Sequence, residues 1–290
     1  MSALSKILVT GSNGQLGKEL KALAPLFPQF EFIFLSREDM PIHHFELVRN
    51  TFKAWHPQYC INCAAYTAVD KAESEQELAF QVNGEAPGVL AAVCHEQQCR
   101  FIHISTDYVF DGNGSNPYEV DSPVGPQSVY GASKLEGEKR VTAADPDAVI
   151  IRTSWVYSAY GKNFVKTMLK LMSERTEISV VNDQLGAPTW AADLASTIMK
   201  IISGGKWEPG IYHYSHAGLI SWFDFAKAIA EMTGTSCTVH PVATTQFPTP
   251  AKRPAYSALD TSRISEVYGV VTPEWRAQLA IALEKIKKHL

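Results

Sequence analysis

The chain has 290 residues, of which 46% are hydrophobic and 19% charged, and its formal net charge is −4. This length and composition suffice for a full α/β core with a smaller lobe attached. The acidic balance excludes the basic surface that binds nucleic acid or anionic membranes, so neither is an expected partner. The N-terminal residues lack a signal-peptide layout and no apolar run spans a bilayer, which predicts a cytoplasmic protein.

The first element is a strand followed by a glycine-rich turn. Residues 6–17 read KILVTGSNGQLG, so Gly11, Gly14 and Gly17 are each three residues apart. Glycines let the backbone turn sharply and approach a phosphate, while a helix N-terminus offers unpaired N–H groups. Alone, three glycines fit a plain loop equally well. Between a strand and a helix, they predict a pyrophosphate-binding turn for a dinucleotide cofactor.

The second strand, EFIFLS (31–36), bears on the choice of cofactor. NAD-selective sites usually place an acidic residue at the end of this strand to bind a ribose hydroxyl. Here Ser36 and Arg37 stand at that point, with Glu38 and Asp39 after them. An arginine can bind the additional 2′-phosphate of NADP, so we expect NADPH, or tolerance of both NADPH and NADH. The alternative is an ordinary solvated charge in a turn.

The third strand contains a C-x-x-C pair, Cys60 and Cys63. Strand residues three apart point to opposite faces of a sheet, and the remaining cysteines form no second such pair. We therefore expect buried structural thiols in a reducing compartment and no bound metal.

The stretch from Phe101 to Arg140 carries the candidate chemistry. An apolar run, FIHIS, ends at Thr106 and Asp107, and a later helical segment carries Tyr130 and Lys134 four residues apart. Such residues share one helix face, so the lysine cation is expected to lower the phenol pKa from its usual value of about 10. Thr106, at the end of a strand, is expected to place its hydroxyl nearby. The pattern predicts a proton-transfer site.

Together, the glycine turn and this stretch resemble the extended short-chain dehydrogenase/reductase family. The resemblance is strongest to the dTDP-4-dehydrorhamnose reductases within it, through NCAAYTAVDKAE (62–73), STDYVFDG (105–112), YGASKLEGE (130–138), RTSWVY (152–157), NDQLGAPT (182–189) and RP (253–254). It implies an α/β fold with a doubly wound parallel (Rossmann) sheet and a smaller α/β substrate lobe. The expected cofactor domain is 1–157 plus about 185–215, and the substrate lobe is about 158–184 plus 216–290.

The resemblance also implies residue roles. The catalytic residues would be Thr106, Tyr130 and Lys134. Tyr130 and Lys134 would also contact the cofactor, together with Gly11, Asn13, Gly14, Gln15, Leu16, Gly17, Ser36, Arg37, Asp39, Met40, Ala64, Ala65, Tyr66 and Thr67. The substrate would contact Thr106, Asp107, Trp155, Asn163, Phe164 and Arg253.

Simpler interpretations stay open for several of these positions. Asp107 also suits a turn cap, Trp155 a core residue and Arg253 a surface charge. Asn83 resembles a family asparagine that lies behind the active-site lysine, or it is an ordinary helix contact. Ser133 and Glu138 are most simply interpreted as solvent-facing or capping residues.

The implied activity is NAD(P)H-dependent reduction of the C4 ketone of dTDP-4-dehydrorhamnose to dTDP-L-rhamnose, the last step of dTDP-rhamnose biosynthesis. Two alternatives remain: a reductase of another 4-keto deoxysugar nucleotide, and a non-catalytic NADP-binding regulatory subunit. The chain is expected to be a monomer or a homodimer. Some family dimers are bridged by a divalent cation, but here Ala191 and Ala192 precede Asp193, and only Glu19 offers a further acid. A bridging Mg²⁺ is therefore doubtful.

Overall fold

The computed structural model describes residues 4–289. Its strands are β1 (Ser5–Thr10), β2 (Phe30–Leu35), β3 (Tyr59–Asn62), β4 (Arg100–Thr106), β5 (Val149–Thr153), β6 (Val156–Tyr157), β7 (Glu177–Val181), β8 (Leu185–Gly186), β9 (Thr189–Trp190), β10 (Gly210–Tyr214), β11 (Ile220–Ser221) and β12 (Thr238–Val242). Its α-helices are α1 (Gln15–Leu23), α2 (Phe45–Trp55), α3 (Val69–Ala72), α4 (Gln76–Phe80), α5 (Ala86–Glu96), α6 (Val129–Ala144), α7 (Phe164–Glu174), α8 (Ala191–Ser203), α9 (Trp222–Thr233), α10 (Ser262–Tyr268) and α11 (Trp275–Lys287).

Six strands form one parallel sheet in the order β10-β5-β4-β3-β1-β2. Since β2 and β3 lie on opposite sides of β1, the strand order reverses there, and a crevice opens beyond the carboxyl ends of these strands. Ligands of doubly wound sheets bind in such a crevice. The fold class predicted from the sequence is confirmed.

Helices cover both faces of this sheet. Alternate residues of β1 point to opposite sides, so Ile7 and Val9 join a cluster with α1, α8 and α10, while Leu8 joins one with α2, α5 and α6. Side chains of central parallel strands are buried on both faces, which explains the near-continuous apolar runs in the sequence. This packing fixes the strand ends that carry the candidate site residues.

A separate apolar cluster lies outside the main sheet. It is built from α7, α9, α11 and β7, and its buried members include Val165, Phe225 and Leu279. The parallel pair β7 and β12 lies beside these helices. The helix bounds differ from the predicted segment at 69–98, where α4 and α5 are joined by a π-helical turn at Gln81–Glu85. Within residues 4–289, no helix is both long enough and apolar enough to cross a membrane.

Candidate active site

The end of β4 and the first turns of α6 bring the three predicted catalytic residues together. Lys134 is buried, and its Nζ donates to the Ile104 carbonyl oxygen at 2.6 Å. The Thr106 hydroxyl donates to Asp107 Oδ1 at 2.9 Å and also interacts with the Tyr130 phenol, whose pKa it acts to lower. A phenol, a hydroxyl and a carboxyl group therefore lie in sequence at the end of β4.

The α6 helix reaches this position because two of its residues have no side chain. A Cβ on Gly131 would lie 2.2 Å from the Tyr108 carbonyl oxygen, and one on Gly137 would lie 2.1 Å from the Asn83 carbonyl oxygen. Both distances are far below van der Waals contact. Glycine at both positions lets α6 approach the backbone of its neighbours and places Tyr130 beside Tyr108, with ring centroids 5.4 Å apart.

The predicted low pKa of Tyr130 is wrong for this structure. Desolvation raises the pKa of Tyr130 to about 12, and the nearby Asp107 carboxylate adds to the increase. Lys134 directs its amino group to the Ile104 carbonyl instead of acting as the dominant charge on the phenol. Tyr130 is therefore a neutral proton donor at neutral pH.

Asp107 is more than a turn cap. Its side chain is buried, and desolvation raises its pKa to about 6. Thr106, not Asp107, caps the short 3₁₀ turn at Asp107–Val109 by accepting from the Tyr108 N–H. Among the residues that the structure describes, Asp107 Oδ2 has no hydrogen-bond partner. A buried polar atom of this kind is costly unless a ligand completes it.

The glycine turn lies between β1 and α1, as predicted. Gly11 has φ +61°, and a Cβ there would lie 2.7 Å from Ala64 Cα. The cap residue of α1, Gly14, has no side chain to bond the first N–H groups of the helix, and it is exposed, as is Asn13. The helix start therefore offers a positive dipole end and unpaired donors, which suit a pyrophosphate. Gln15 is half-buried, whereas Leu16 and Gly17 pack against the sheet.

The turn after β2 is rigid and presents a cation. Ser36 is buried, and its N–H donates to Asp39 Oδ2 at 2.9 Å, while its hydroxyl accepts from the backbone of Glu38 and Asp39. Arg37 is exposed at the end of this turn, and Met40 is buried beneath it. An exposed guanidinium on a fixed turn suits a phosphate on the adenosine ribose.

The segment after β3 is held from behind by Asn83. Its Oδ1 accepts from the Tyr66 N–H at 2.8 Å, and its Nδ2 donates to the Tyr66 carbonyl and to Ser133 Oγ. Asn83 thus holds the Ala64–Thr67 segment against α6, and it contacts Ser133 rather than Lys134. Within that segment, Ala64, Ala65 and Tyr66 are half-buried and Thr67 is exposed.

Trp155 and Phe164 meet around an aromatic residue that the sequence argument did not single out. Trp222, the first residue of α9, stacks on Trp155 with ring centroids 3.6 Å apart and contacts Phe164 at 4.6 Å. The serine before Trp222 and Asp224 form a capping box, S-x-x-D, which is a sequence signal that could have located this helix start. Phe164 also packs on Phe225 and belongs to the wall of the smaller lobe.

Asn163 connects the smaller lobe to the glycine turn. It caps α7 by accepting from the Lys166 N–H, and its Nδ2 donates to Gln15 Oε1 at 2.9 Å. The two predicted contact sets, cofactor and substrate, therefore touch through these residues.

Arg253 is not an isolated surface charge. Its guanidinium donates two hydrogen bonds, of 2.9 and 2.8 Å, to the carboxylate of Asp70 on α3. The side chain remains 25% exposed, so the fork keeps a face toward the crevice side of Tyr108, with which it interacts electrostatically. Glu19 is likewise engaged: its buried carboxylate accepts from Ser158 Oγ and from Lys285 Nζ, both at 2.7 Å.

The expectation of solvent-facing Ser133 and Glu138 is wrong. Both are buried, and Glu138 forms a bidentate ion pair with Arg152 of β5 at 2.9 and 2.7 Å. Glu138 also accepts from Ser105, the residue before Thr106. Because Glu138 lies two turns after Tyr130 on α6, this pair fixes the catalytic helix against β4 and β5.

Comparison with known proteins decides the family. The family model described as RmlD substrate binding domain matches residues 5–288. The chain belongs to this RmlD family. A dTDP-4-dehydrorhamnose reductase from Burkholderia thailandensis is 41% identical over 97% of this chain and 99% of its own length. The spore coat polysaccharide biosynthesis protein SpsK of Bacillus subtilis is also 41% identical, over 97% of this chain and 98% of its own.

Solved structures of the RmlD family share the whole fold. A dTDP-4-dehydrorhamnose reductase from Bacillus anthracis, solved in complex with NADP, superposes with a TM-score of 0.93. It is 37% identical, and the match covers 98% of this chain and 100% of that chain. The RmlD-family match extends through both the main sheet and the smaller lobe.

Proposed function

We propose that this protein is an NAD(P)H-dependent oxidoreductase that reduces the C4 ketone of dTDP-4-dehydrorhamnose to dTDP-L-rhamnose, the last step of dTDP-rhamnose biosynthesis. The observation that carries the proposal is the joining of two features beyond the sheet: a glycine turn suited to a pyrophosphate, and a neutral Tyr130 beside Thr106. Relatives that match over nearly the whole chain bear that enzyme name, and one was solved with NADP.

A nicotinamide cofactor, when bound, supplies a hydride to the ketone carbon. Tyr130 donates its proton to the oxygen as negative charge develops there, and solvent later returns a proton to the phenolate. With a pKa of about 12, Tyr130 begins each turnover protonated, as a general acid requires. The Thr106 hydroxyl, which donates to Asp107 in this structure, turns to donate to the same substrate oxygen.

Other residues hold the two reactants. Asp107 accepts from a sugar hydroxyl through its unused carboxylate oxygen, and the face of Trp155 forms one wall for the sugar ring. The Arg253 fork binds the diphosphate, while Lys134 binds the nicotinamide ribose. The exposed cation at Arg37 favours NADPH over NADH.

The organisation of the chain is part of the proposal. Residues 1–157 plus about 185–215 bind the cofactor, and about 158–184 plus 216–290 bind the substrate. The protein acts in the cytoplasm as a monomer or homodimer.

The test is nicotinamide absorbance with dTDP-4-dehydrorhamnose and either NADPH or NADH. We expect prompt oxidation that falls by about 10²–10⁴-fold in Tyr130→Phe, since that is the usual contribution of a general acid. Tyr108→Phe is the matched control because its ring packs on Tyr130, and it should retain most of the activity. Full activity in Tyr130→Phe would remove the mechanism.

A second assay separates the alternatives. Oxidation with a different 4-keto deoxysugar nucleotide, but not with dTDP-4-dehydrorhamnose, would reassign the substrate. NADPH binding without oxidation by any such ketone would indicate the regulatory subunit. The presence of Thr106, Tyr130 and Lys134 together favours the enzyme.

A further inference from the structure

A buried histidine beneath the candidate site has no role in the reaction described above. His103 lies in β4, fully buried, between Asn62 of β3 and Lys134 of α6. Its Nδ1 is 3.0 Å from Asn62 Nδ2, and its Nε2 is 3.4 Å from Lys134 Nζ. The two ring nitrogens thus face different neighbours, and their protonation decides what Lys134 encounters.

The contacts of Asn62 fix the orientation of its side-chain amide. Its Oδ1 lies 3.3 Å from the backbone nitrogen of Ala64 and 2.6 Å from Thr10 Oγ1. A backbone N–H can only donate, so the amide atom that faces Ala64 must be the oxygen. The amide nitrogen of Asn62 therefore points at His103 and donates to Nδ1.

This orientation selects one tautomer of His103. A ring nitrogen that accepts a hydrogen bond carries no proton, so the proton of the neutral ring is on Nε2, facing Lys134. Burial and the neighbouring Lys134 lower the pKa of His103 well below its usual value, which keeps the ring neutral. An ammonium group has no lone pair to accept the Nε2–H, whereas an uncharged amine has one.

We propose that His103 is a positioning residue for Lys134, whose Nε2–H donates to Lys134 Nζ and holds that lysine as an uncharged amine. The amine would then donate to the Ile104 carbonyl, as the 2.6 Å contact requires. Two other groups act on Lys134 from its own helix: Glu138, which favours the charged form, and Tyr130, one turn earlier. The inference deepens the proposed function, on which the role of Lys134 rests.

Burial acts in the same direction as the histidine. Desolvation lowers the pKa of Lys134 to about 8, even with the Glu138 carboxylate opposing it. Lys134 therefore changes charge close to neutral pH, and the tautomer of His103 is one of the features that place it there.

Nitrogen-15 NMR of the full-length protein with labelled histidine tests the tautomer directly. We expect His103, assigned by its loss in His103→Gln, to show a protonated Nε2 and an unprotonated Nδ1. His213 is a built-in control, because its Nε2 lies 3.4 Å from Arg152 Nη1. A guanidinium can only donate, so His213 must carry its proton on Nδ1. A proton on Nδ1 of His103, alone or with one on Nε2, would overturn the proposal.

A substitution that reverses the tautomer tests the effect on the lysine. In Asn62→Asp both side-chain oxygens can only accept, so His103 must carry its proton on Nδ1 and offer a lone pair to Lys134. Carbon-13 NMR of the lysine Cε should then show Lys134 titrating at least one pH unit above its wild-type value of about 8. Asn50→Asp, on the exposed face of α2, adds the same charge elsewhere and should leave Lys134 unchanged.

An unchanged Lys134 titration in folded Asn62→Asp would also overturn the proposal. Should that variant fail to fold, the wild-type tautomer still decides the question. Neither measurement needs turnover, so a wrong tautomer and a missing reductase activity are separate results.

Discussion

Trp155 stacks on Trp222 with ring planes 10° apart and centroids separated by 3.6 Å. Trp155 lies just beyond β5 with φ 46°, a left-handed conformation that costs a non-glycine residue about 1–3 kcal/mol. Trp222 begins α9 and packs on the cluster of the smaller lobe. The stack therefore joins the end of the main sheet to the smaller lobe and holds the Trp155 ring in place despite the backbone strain.

Trp155→Ala should weaken sugar binding selectively. Loss of the aromatic wall should raise the KM for the sugar nucleotide about tenfold, equivalent to about 1.4 kcal/mol, while the Kd for NADPH changes little. Steady-state kinetics and fluorescence titration measure the two values. Trp55→Ala, at an exposed tryptophan of α2, is the control. An unchanged KM would make Trp155 a packing residue only.

Glu138→Gln should destabilise the protein strongly. The substitution leaves Arg152 buried without its carboxylate partner, which typically costs about 3–5 kcal/mol. Glu136→Gln is a matched control on the same helix, since Glu136 pairs with Arg140 at the surface. Exposed pairs spaced i,i+4 contribute only about 0.3–0.5 kcal/mol. Urea unfolding compares the two, and equal losses would contradict the structural role of the buried pair.

Gly137→Ala should be far more costly than Gly84→Ala, although both glycines lie in the contact between α6 and the π-helical turn. A Cβ at Gly137 meets the rigid Asn83 carbonyl at 2.1 Å, whereas one at Gly84 meets the flexible Glu136 side chain at 3.2 Å. We expect at least about 1–3 kcal/mol for Gly137→Ala and a near-neutral effect for Gly84→Ala. Thermal unfolding distinguishes them. Similar melting temperatures would show that α6 can shift without cost.

Asp107→Asn should stabilise the protein above about pH 6. Burial raises the pKa of Asp107 from 3.8 to about 6 in the folded state, so the folded protein binds its proton more tightly than the unfolded chain does. That contribution is present at low pH and is lost as the pH rises through this window. At neutral pH the charged form costs about 3 kcal/mol, which asparagine avoids.

The stability difference between Asp107→Asn and wild type, from denaturant unfolding, should thus grow between about pH 4 and pH 6 and stay constant above. Ketone reduction should fall in the same variant because the buried carboxylate is lost. A difference independent of pH would show that Asp107 does not carry the raised pKa.

The fold could be predicted because its signals are local. The glycine turn, the apolar strands and the Tyr130–Lys134 spacing each occupy a few consecutive residues, and the sheet order follows from repeated βα units. Thr106, Tyr130 and Lys134 meet as expected because two of them share a helix face and the third ends the strand beneath it.

The wrong predictions all depended on partners distant in the sequence or on burial. Glu138 looked like a surface acid because its partner, Arg152, lies on another element. The Tyr130 pKa was misjudged because spacing on a helix says nothing of the Ile104 carbonyl that takes the Lys134 amino group. Trp222 was overlooked because its contact with Trp155 joins positions in different lobes.

The order of the strands has a consequence for engineering. Ser36 and Arg37 follow β2 at the edge of the sheet, while Thr106 ends β4, three strand positions away. Neighbouring strands are about 4.8 Å apart, so the two strand ends are separated by roughly 14 Å. Substitutions at such distances usually act additively. The source of reducing power and the identity of the sugar can therefore be redesigned in separate libraries and combined afterwards, without repeating either selection.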